Sequence, residues 1–278
     1  MTPKTILFPL RIEQPVAELE AAVDFCRNNG AHLSVLLIGL APPPPVATDT
    51  VVISDNWAAQ SEAAKQELHE RGSEIEQHLA KAGISAEIKR WLMMEHSIEA
   101  GTAEHALFAD VTFLSRTFPQ ERGFARQVVS GVVFGAGRPI IVADPAQFGT
   151  LSWGTILIGW DNEKPAARAV AEALPLLAAA DNVHILCVDP DAVPQRDGEA
   201  PGWDLATYLA RHGVQTTVHT QPSGGHPVAT VLADFAEDLG ADGLVMGAYG
   251  HSRLRQRLLG GTTRSLIETG KLPILMAH

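Results

Sequence analysis

Four glycines bracket a short basic run in Met246–Gly261, MGAYGHSRLRQRLLGG, directly behind the apolar residues Gly243–Val245. Thr262 and Thr263 follow, ahead of a helical pattern over Arg264–Thr269. Backbone amides and hydroxyls at a helix N-terminus attract phosphate. Glycine lacks the Cβ that would hold the phosphate away. Gly247 and Gly250 after a strand, with Gly260, Gly261, Thr262 and Thr263 before a helix, would set a first turn and a helix start on one anionic ligand. The plainer alternative is that glycines merely punctuate turns. Arg253, Arg255 and Arg257 either neutralise phosphate or solvate the loop; their alternate spacing cannot aim all three at one point of a helix. Asp161 also has two readings: an acid standing at the end of a strand, or the start of the turn before Pro165.

The elements that must position these residues are readable because the chain repeats itself. Lys4–Leu10, KTILFPL, matches Gly154–Trp160, GTILIGW, at an offset of 150, and Glu13 and Pro15 fall opposite Glu163 and Pro165. Each proline opens a helical pattern, where its missing N–H costs nothing. PIIVA from Pro139 matches PILMA from Pro273 at an offset of 134, so the second copy is 16 residues shorter. The difference is expected in the middle, where Trp57–Ala82 carries a longer helix than Trp203–His212. Strands are expected at Thr5–Phe8, His32–Ile38, Ser85–Arg90, Val111–Ser115 and Pro139–Val142. In the second copy they are expected at Thr155–Gly159, Val183–Val188, Val214–His219, Gly243–Met246 and Pro273–Met276. Short Val/Ile/Leu-rich strands alternating with helices predict parallel sheets covered on both faces. The fold class is therefore α/β: two tandem doubly wound domains, residues 1–146 and 152–278. Such sheets bind ligands outside the carboxyl ends of their strands, where the connections reverse direction. The proline-rich loops from Ala41 and Asp189 read as surface loops, with lids or dimer contacts as alternatives.

Composition narrows the function. A net charge of −11 argues against bulk phosphate neutralisation on a nucleic acid. No apolar run reaches the roughly 18–20 residues of a membrane span, and MTPKTILFPL does not read as a secretory signal. Cys26 and Cys187 read as buried thiols in a reducing compartment, so a soluble cytoplasmic protein is expected. The histidines show no metal-ligand spacing. GHSRL around Ser252 lacks the elbow that exposes a nucleophile. PSGGHPVATV from Pro222 is unlike a pyrophosphate loop, because it follows a third strand and lacks the closing aspartate–serine pair.

With these residues in place, MGAYGHSRLRQRLLGGTTRSL closely resembles the nucleotide-binding signature of the universal stress proteins, Gly-x2-Gly-x9-Gly-(Ser/Thr). The resemblance extends over the whole chain as two modules. It implies an adenine nucleotide hydrolase-like fold of five parallel strands, paired through the last strand, either as a pseudo-dimer within the chain or as a homodimer. It implies ATP, with Mg²⁺, as ligand: Gly247, Gly250 and Gly260 with the following hydroxyls on ribose and phosphates, Asp161 on the nucleoside end, and Val188 at the adenine. The residue after the third signature glycine is Gly261 here, which keeps an amide but loses a hydroxyl that Thr262 or Thr263 would have to replace. In the first copy Arg11 stands at the position of Asp161, Ser115 at that of Gly247, and Arg126 and Gln127 at those of Gly260 and Gly261. One competent site, in the C-terminal half, is therefore expected. No base held against a nucleophile is apparent, so turnover of ATP would be slow at most. The function implied is a nucleotide-binding stress-response sensor or regulator, with an interaction scaffold without nucleotide as the alternative.

Overall fold

The computed structural model describes residues 3–44, 55–117, 122–150, 153–190, 200–249 and 261–278. Its strands are β1 (Thr5–Arg11), β2 (His32–Leu40), β3 (Ala86–Met93), β4 (Val111–Ser115) and β5 (Ile140–Ala143), then β6 (Thr155–Gly159), β7 (Asn182–Val188), β8 (Thr216–Gln221), β9 (Gly243–Gly247) and β10 (Ile274–Ala277). They form one sheet in the order β3-β2-β1-β4-β5-β10-β9-β6-β7-β8. Each half is parallel throughout, and the halves join antiparallel where Leu275 of β10 faces Ile141 of β5. The expected α/β class and parallel sheets are as observed, and pairing through the last strand occurs within the chain.

The helices are α1 (Glu20–Asn29), α2 (Asp55–Ala82), α3 (Ile98–Ala106), α4 (Arg122–Ser130), α5 (Lys164–Ala179), α6 (Trp203–Arg211), α7 (Val228–Leu239) and α8 (Gly261–Thr269). They cover both faces, because strands with apolar residues on both sides must be buried twice. Leu19, Leu68, Ile75, Val170 and Leu209 build one core layer, on the side of α1, α2, α5 and α6. Ile98, Val128, Leu232 and Leu266 build the other, on the side of α3, α4, α7 and α8. The length difference between copies lies where the sequence places it: α2 has 28 residues and α6 has 9. After α4 the chain widens into a π-helical turn, Gly131–Gly135.

Several boundaries differ from the sequence reading by one to three residues, and three of them have a visible cause or bear on the site. β1 runs through Pro9 to Arg11, because β2 pairs with it along that whole length. β8 starts at Thr216, not Val214, since the Val214 amide closes the end of α6 on the Leu209 carbonyl. α8 already begins at Gly261, so Gly261, Thr262 and Thr263 form its first turn.

Candidate functional site

Within the C-terminal half, β6 lies between β7 and β9. The chain leaves β6 toward β7 and β8 and returns on the other side as β9, so the crevice where connections part is at the carboxyl ends of β6 and β9. Those ends are level, with Gly159 of β6 paired to Met246 of β9. Asp161 leaves β6 two residues later, and Gly247 closes β9.

Asp161 Oδ1 accepts the Glu163 amide at 3.0 Å. This bond makes the turn that opens α5, where Pro165 occupies the first turn. The charge of the same carboxylate is felt at the end of β7. Burial, and then the Asp161 charge, push the Cys187 thiol up to about 11. Val188, the last residue of β7, is half-buried beside it.

Gly247 stands where the crevice opens, but its missing Cβ does not face open space. A Cβ there would lie 2.5 Å from the Ala166 amide nitrogen and 2.7 Å from the Pro165 carbonyl carbon. Glycine at this position lets the first turn of α5 pack directly on the end of β9. Gly261 is the opposite case: it is exposed, and nothing among the described residues lies within 4 Å of its Cβ position. Thr263 is 2% exposed. Its hydroxyl accepts the Tyr249 amide at 3.3 Å, tying the start of α8 to the end of β9. Thr262 beside it is half-buried. Asp161, Gly247 and Thr263 are thus brought to one edge, with Val188 on the neighbouring strand. Gly250, Gly260, Arg253, Arg255 and Arg257 lie outside the described residues.

Sequence reasoning missed a cluster of strained backbone. Asn162 (φ 60°), Asp189 (φ 48°) and Tyr249 (φ 66°) are the non-glycine residues with positive φ among those described. They follow β6, β7 and β9, so all three bend the chain at the same sheet edge. Strain of this kind persists where the surroundings over-determine it. Asp189 Oδ1 accepts the Ser223 amide at 2.8 Å, and its bonds to Ser223 hold its carboxyl below the usual range. Tyr249 is fixed from the other half of the molecule: its ring lies 4.6 Å from that of Phe134, which also meets His278 at 4.4 Å. His278 Nδ1 closes the group at 2.9 Å from the Ala248 carbonyl oxygen. A short polar residue directly behind a strand was the only available signal for the first two.

The equivalent crevice of the N-terminal half, between β1 and β4, is filled. Arg11 is 5% exposed, pairs with Glu13 at 2.9 Å and lies 5.6 Å from the centre of the Phe124 ring. Ser115, in the place of Gly247, donates its hydroxyl to the buried Glu18 carboxylate, and so does Thr117.

A doubly wound half with a switch-point crevice beside a helix start is the architecture of open α/β sheets, in which such a crevice is the place for a ligand. Residues 152–278 match the family model of the universal stress protein family. The C-terminal half of the chain belongs to the universal stress proteins, and the chain as a whole has their tandem fold. A universal stress protein from Archaeoglobus fulgidus DSM 4304 is 18% identical, covers 100% of this chain and 96% of its own, and superposes with a TM-score of 0.64. Two proteins of Pseudomonas aeruginosa, from strains UCBPP-PA14 and PAO1, are each 17% identical over 98% of this chain and 92% of theirs, with TM-scores of 0.56 and 0.55. At such identities the likeness is one of fold. No curated protein matches the chain significantly.

Proposed function

We propose that the C-terminal half binds one adenine nucleotide, ATP with its Mg²⁺, across the carboxyl ends of β6, β7 and β9, and that the protein serves the stress response as a cytoplasmic nucleotide sensor or regulator. The observation that carries this reading is the bond from the Tyr249 amide to the Thr263 hydroxyl, which brings a helix start to the end of β9, the strand beside the one that Asp161 leaves. The residues present suit such a ligand. The first-turn amides of α8, at Gly261 and Thr262, have no partner within their own helix and favour an anion. Gly261 itself presents no side chain to such a group. The Asp161 carboxylate accepts hydroxyl donors of a nucleoside, and Val188 offers an apolar surface to a base. Mg²⁺ would arrive with the phosphates, and no ligand set on the chain is assigned to it. With its crevice filled by Arg11, Glu18 and Ser115, the N-terminal half is read as having no equivalent site.

Titration calorimetry with Mg²⁺-ATP tests the proposal. The expected result is one site per chain, with affinity lowered about 10-fold in Asp161→Asn, a loss near 1.4 kcal/mol for a charge-assisted bond. Asparagine keeps an oxygen for the Glu163 amide, so the turn survives the change. Unaltered affinity in that variant would remove Asp161 from the site. A second reading, an interaction scaffold without nucleotide, is favoured by the packing duties already carried by Gly247 and Thr263. Protein stripped of carried-over ligand that gives no heat would decide for the scaffold. Mass spectrometry of ligand released from the purified chain would name what is bound.

A further inference from the structure

The two halves also differ on the face of the sheet that carries α3, α4, α7 and α8. In the N-terminal half the π-helical turn presses onto α3. A Cβ on Gly131 would lie 2.3 Å from the Glu99 carbonyl oxygen, and one on Gly135 would lie 2.6 Å from the Ala103 Cβ. At the offset of 134 set by Pro139 and Pro273, these glycines correspond to Ser265 and Thr269. Ser265 and Thr269 carry side chains where the N-terminal half has glycine, and both line the space between α7 and α8. A cleft of ≈ 520 Å³ opens between the helices, floored by Leu232, Leu244, Leu266 and Ile274. Asp234 and Glu237 stand on its α7 wall.

Where the C-terminal half has this hole, the N-terminal half has a projection. Asp110 and Asp242 do the same work in the two halves, accepting the first amide of β1 at 3.0 Å and of β6 at 2.8 Å. Two residues earlier, Phe108 therefore occupies the place of Gly240, which lines the cleft. Phe108 is 77% exposed and Leu107 beside it is 48% exposed, an apolar pair unusual on the surface of a soluble chain. Arg138 donates to the Leu107 carbonyl at 3.0 Å, which sets a cation beside the projection. The cleft carries Asp234, Glu237 and one cation, Lys271, which pairs with Glu237 at 3.5 Å, so its balance is acidic. The knob carries a guanidinium, and the two are complementary in a molecule whose net charge of −11 otherwise opposes self-association.

We propose that two copies of this chain form a reciprocal dimer in which Leu107–Phe108 of each enters the α7–α8 cleft of the other. The internal repeat puts knob and cleft at equivalent positions of the two halves, so one two-fold axis satisfies both contacts together. Closure of this kind leaves no knob or cleft to propagate a filament. The dimer does not depend on the nucleotide reading.

Sedimentation velocity of the full chain over a range of concentrations tests it. A concentration-dependent dimer is expected. Phe108→Ser, an exposed site whose change leaves the melting temperature unaltered, should raise the dimer dissociation constant at least ~30-fold, as the loss of a central aromatic anchor does. Ala233→Trp, which fills the cleft from α7, should do the same. Mixing the two variants should restore part of the association, since the intact knob of one meets the intact cleft of the other. Arg138→Glu should weaken the dimer, and Arg138→Glu combined with Glu237→Arg should recover it. A chain that stays monomeric at every concentration overturns the proposal, as does a dimer indifferent to both Phe108→Ser and Ala233→Trp. A monomer whose cleft takes an apolar fluorescent dye, lost in Ala233→Trp, would instead give the cleft to a small molecule.

Discussion

Gly247 shows how one residue type can serve two ends. The sequence marks it as a place where a ligand comes close, and it does stand at the crevice. Its absent Cβ, however, points into the first turn of α5, 2.5 Å from the Ala166 nitrogen. Backbone cannot yield as a side-chain tip can, so Gly247→Ala forces β9 and α5 apart. The expected cost is about 1–3 kcal/mol of folding stability, the range for overpacking a filled core. Urea unfolding without ligand measures it. A stability equal to that of the unchanged chain would mean that this glycine serves the ligand alone. The place of Gly247 at the strand end beside the crevice was therefore legible, while the direction faced by a missing Cβ was not, because direction depends on packing. The bends at Asn162, Asp189 and Tyr249 escaped for a related reason: asparagine and aspartate tolerate a left-handed backbone, but nothing in the sequence requires it.

Among the elements, the repeat made the strands readable, since each uncertain segment had a counterpart to check against. The errors fall at ends where a neighbour decides the outcome, as β2 does for β1 and α6 for β8. The pairing of β7 with β8 carries a feature that no spacing announced. His184 on β7 and His219 on β8 are joined Nδ1 to Nε2 at 3.0 Å, with ring centres 5.2 Å apart and planes inclined by 26°. With the centres so far apart for such close nitrogens, the rings meet edge to edge, so an N–H on one ring points at the lone pair of the other. One ring must donate and the other accept, so at least one nitrogen has to be unprotonated. Burial first, and His219 second, hold His184 below the ordinary imidazole range. The folded chain then binds this proton less readily than the unfolded chain, whose histidine titrates near 6.5. The stabilisation is complete above about pH 6.5 and declines as the pH falls below it. The thermal midpoint should drop between about pH 7 and pH 5, and His184→Asn should flatten part of that slope. A variant with the slope of the unchanged chain would place the effect on other histidines.

At the scale of the whole molecule, the ten-stranded sheet makes each half depend on the other at its inner edge. Ile274–Ala277 of β10 are all buried, with β9 on one side and β5 on the other. The junction is reinforced across both of its ends. Arg116, at the end of β4, donates to the Leu272 carbonyl ahead of β10, while Phe134, ahead of β5, packs on Tyr249 and His278. The half with the filled crevice thus braces the strand end from which the signature loop departs. Removing residues 1–151 would uncover β10 as an apolar edge with unpaired amides and carbonyls, which recruits any strand available. The most available partner is another β10, since antiparallel pairing is already the geometry that this edge adopts with β5. Residues 152–278 produced alone should therefore associate in pairs or larger species at concentrations where a Met276→Pro version, with one donor removed from the face of β10 that pairs with β5, associates more weakly. Cross-linking between cysteines placed at Leu275, which the register of β10 on β5 sets opposite one another, and read by mass distinguishes β10-to-β10 pairing from association through the α7–α8 cleft. A truncated chain that stays monomeric with its β10 amides slow to exchange would show that this edge is shielded within its own half, and that the N-terminal half contributes something other than cover.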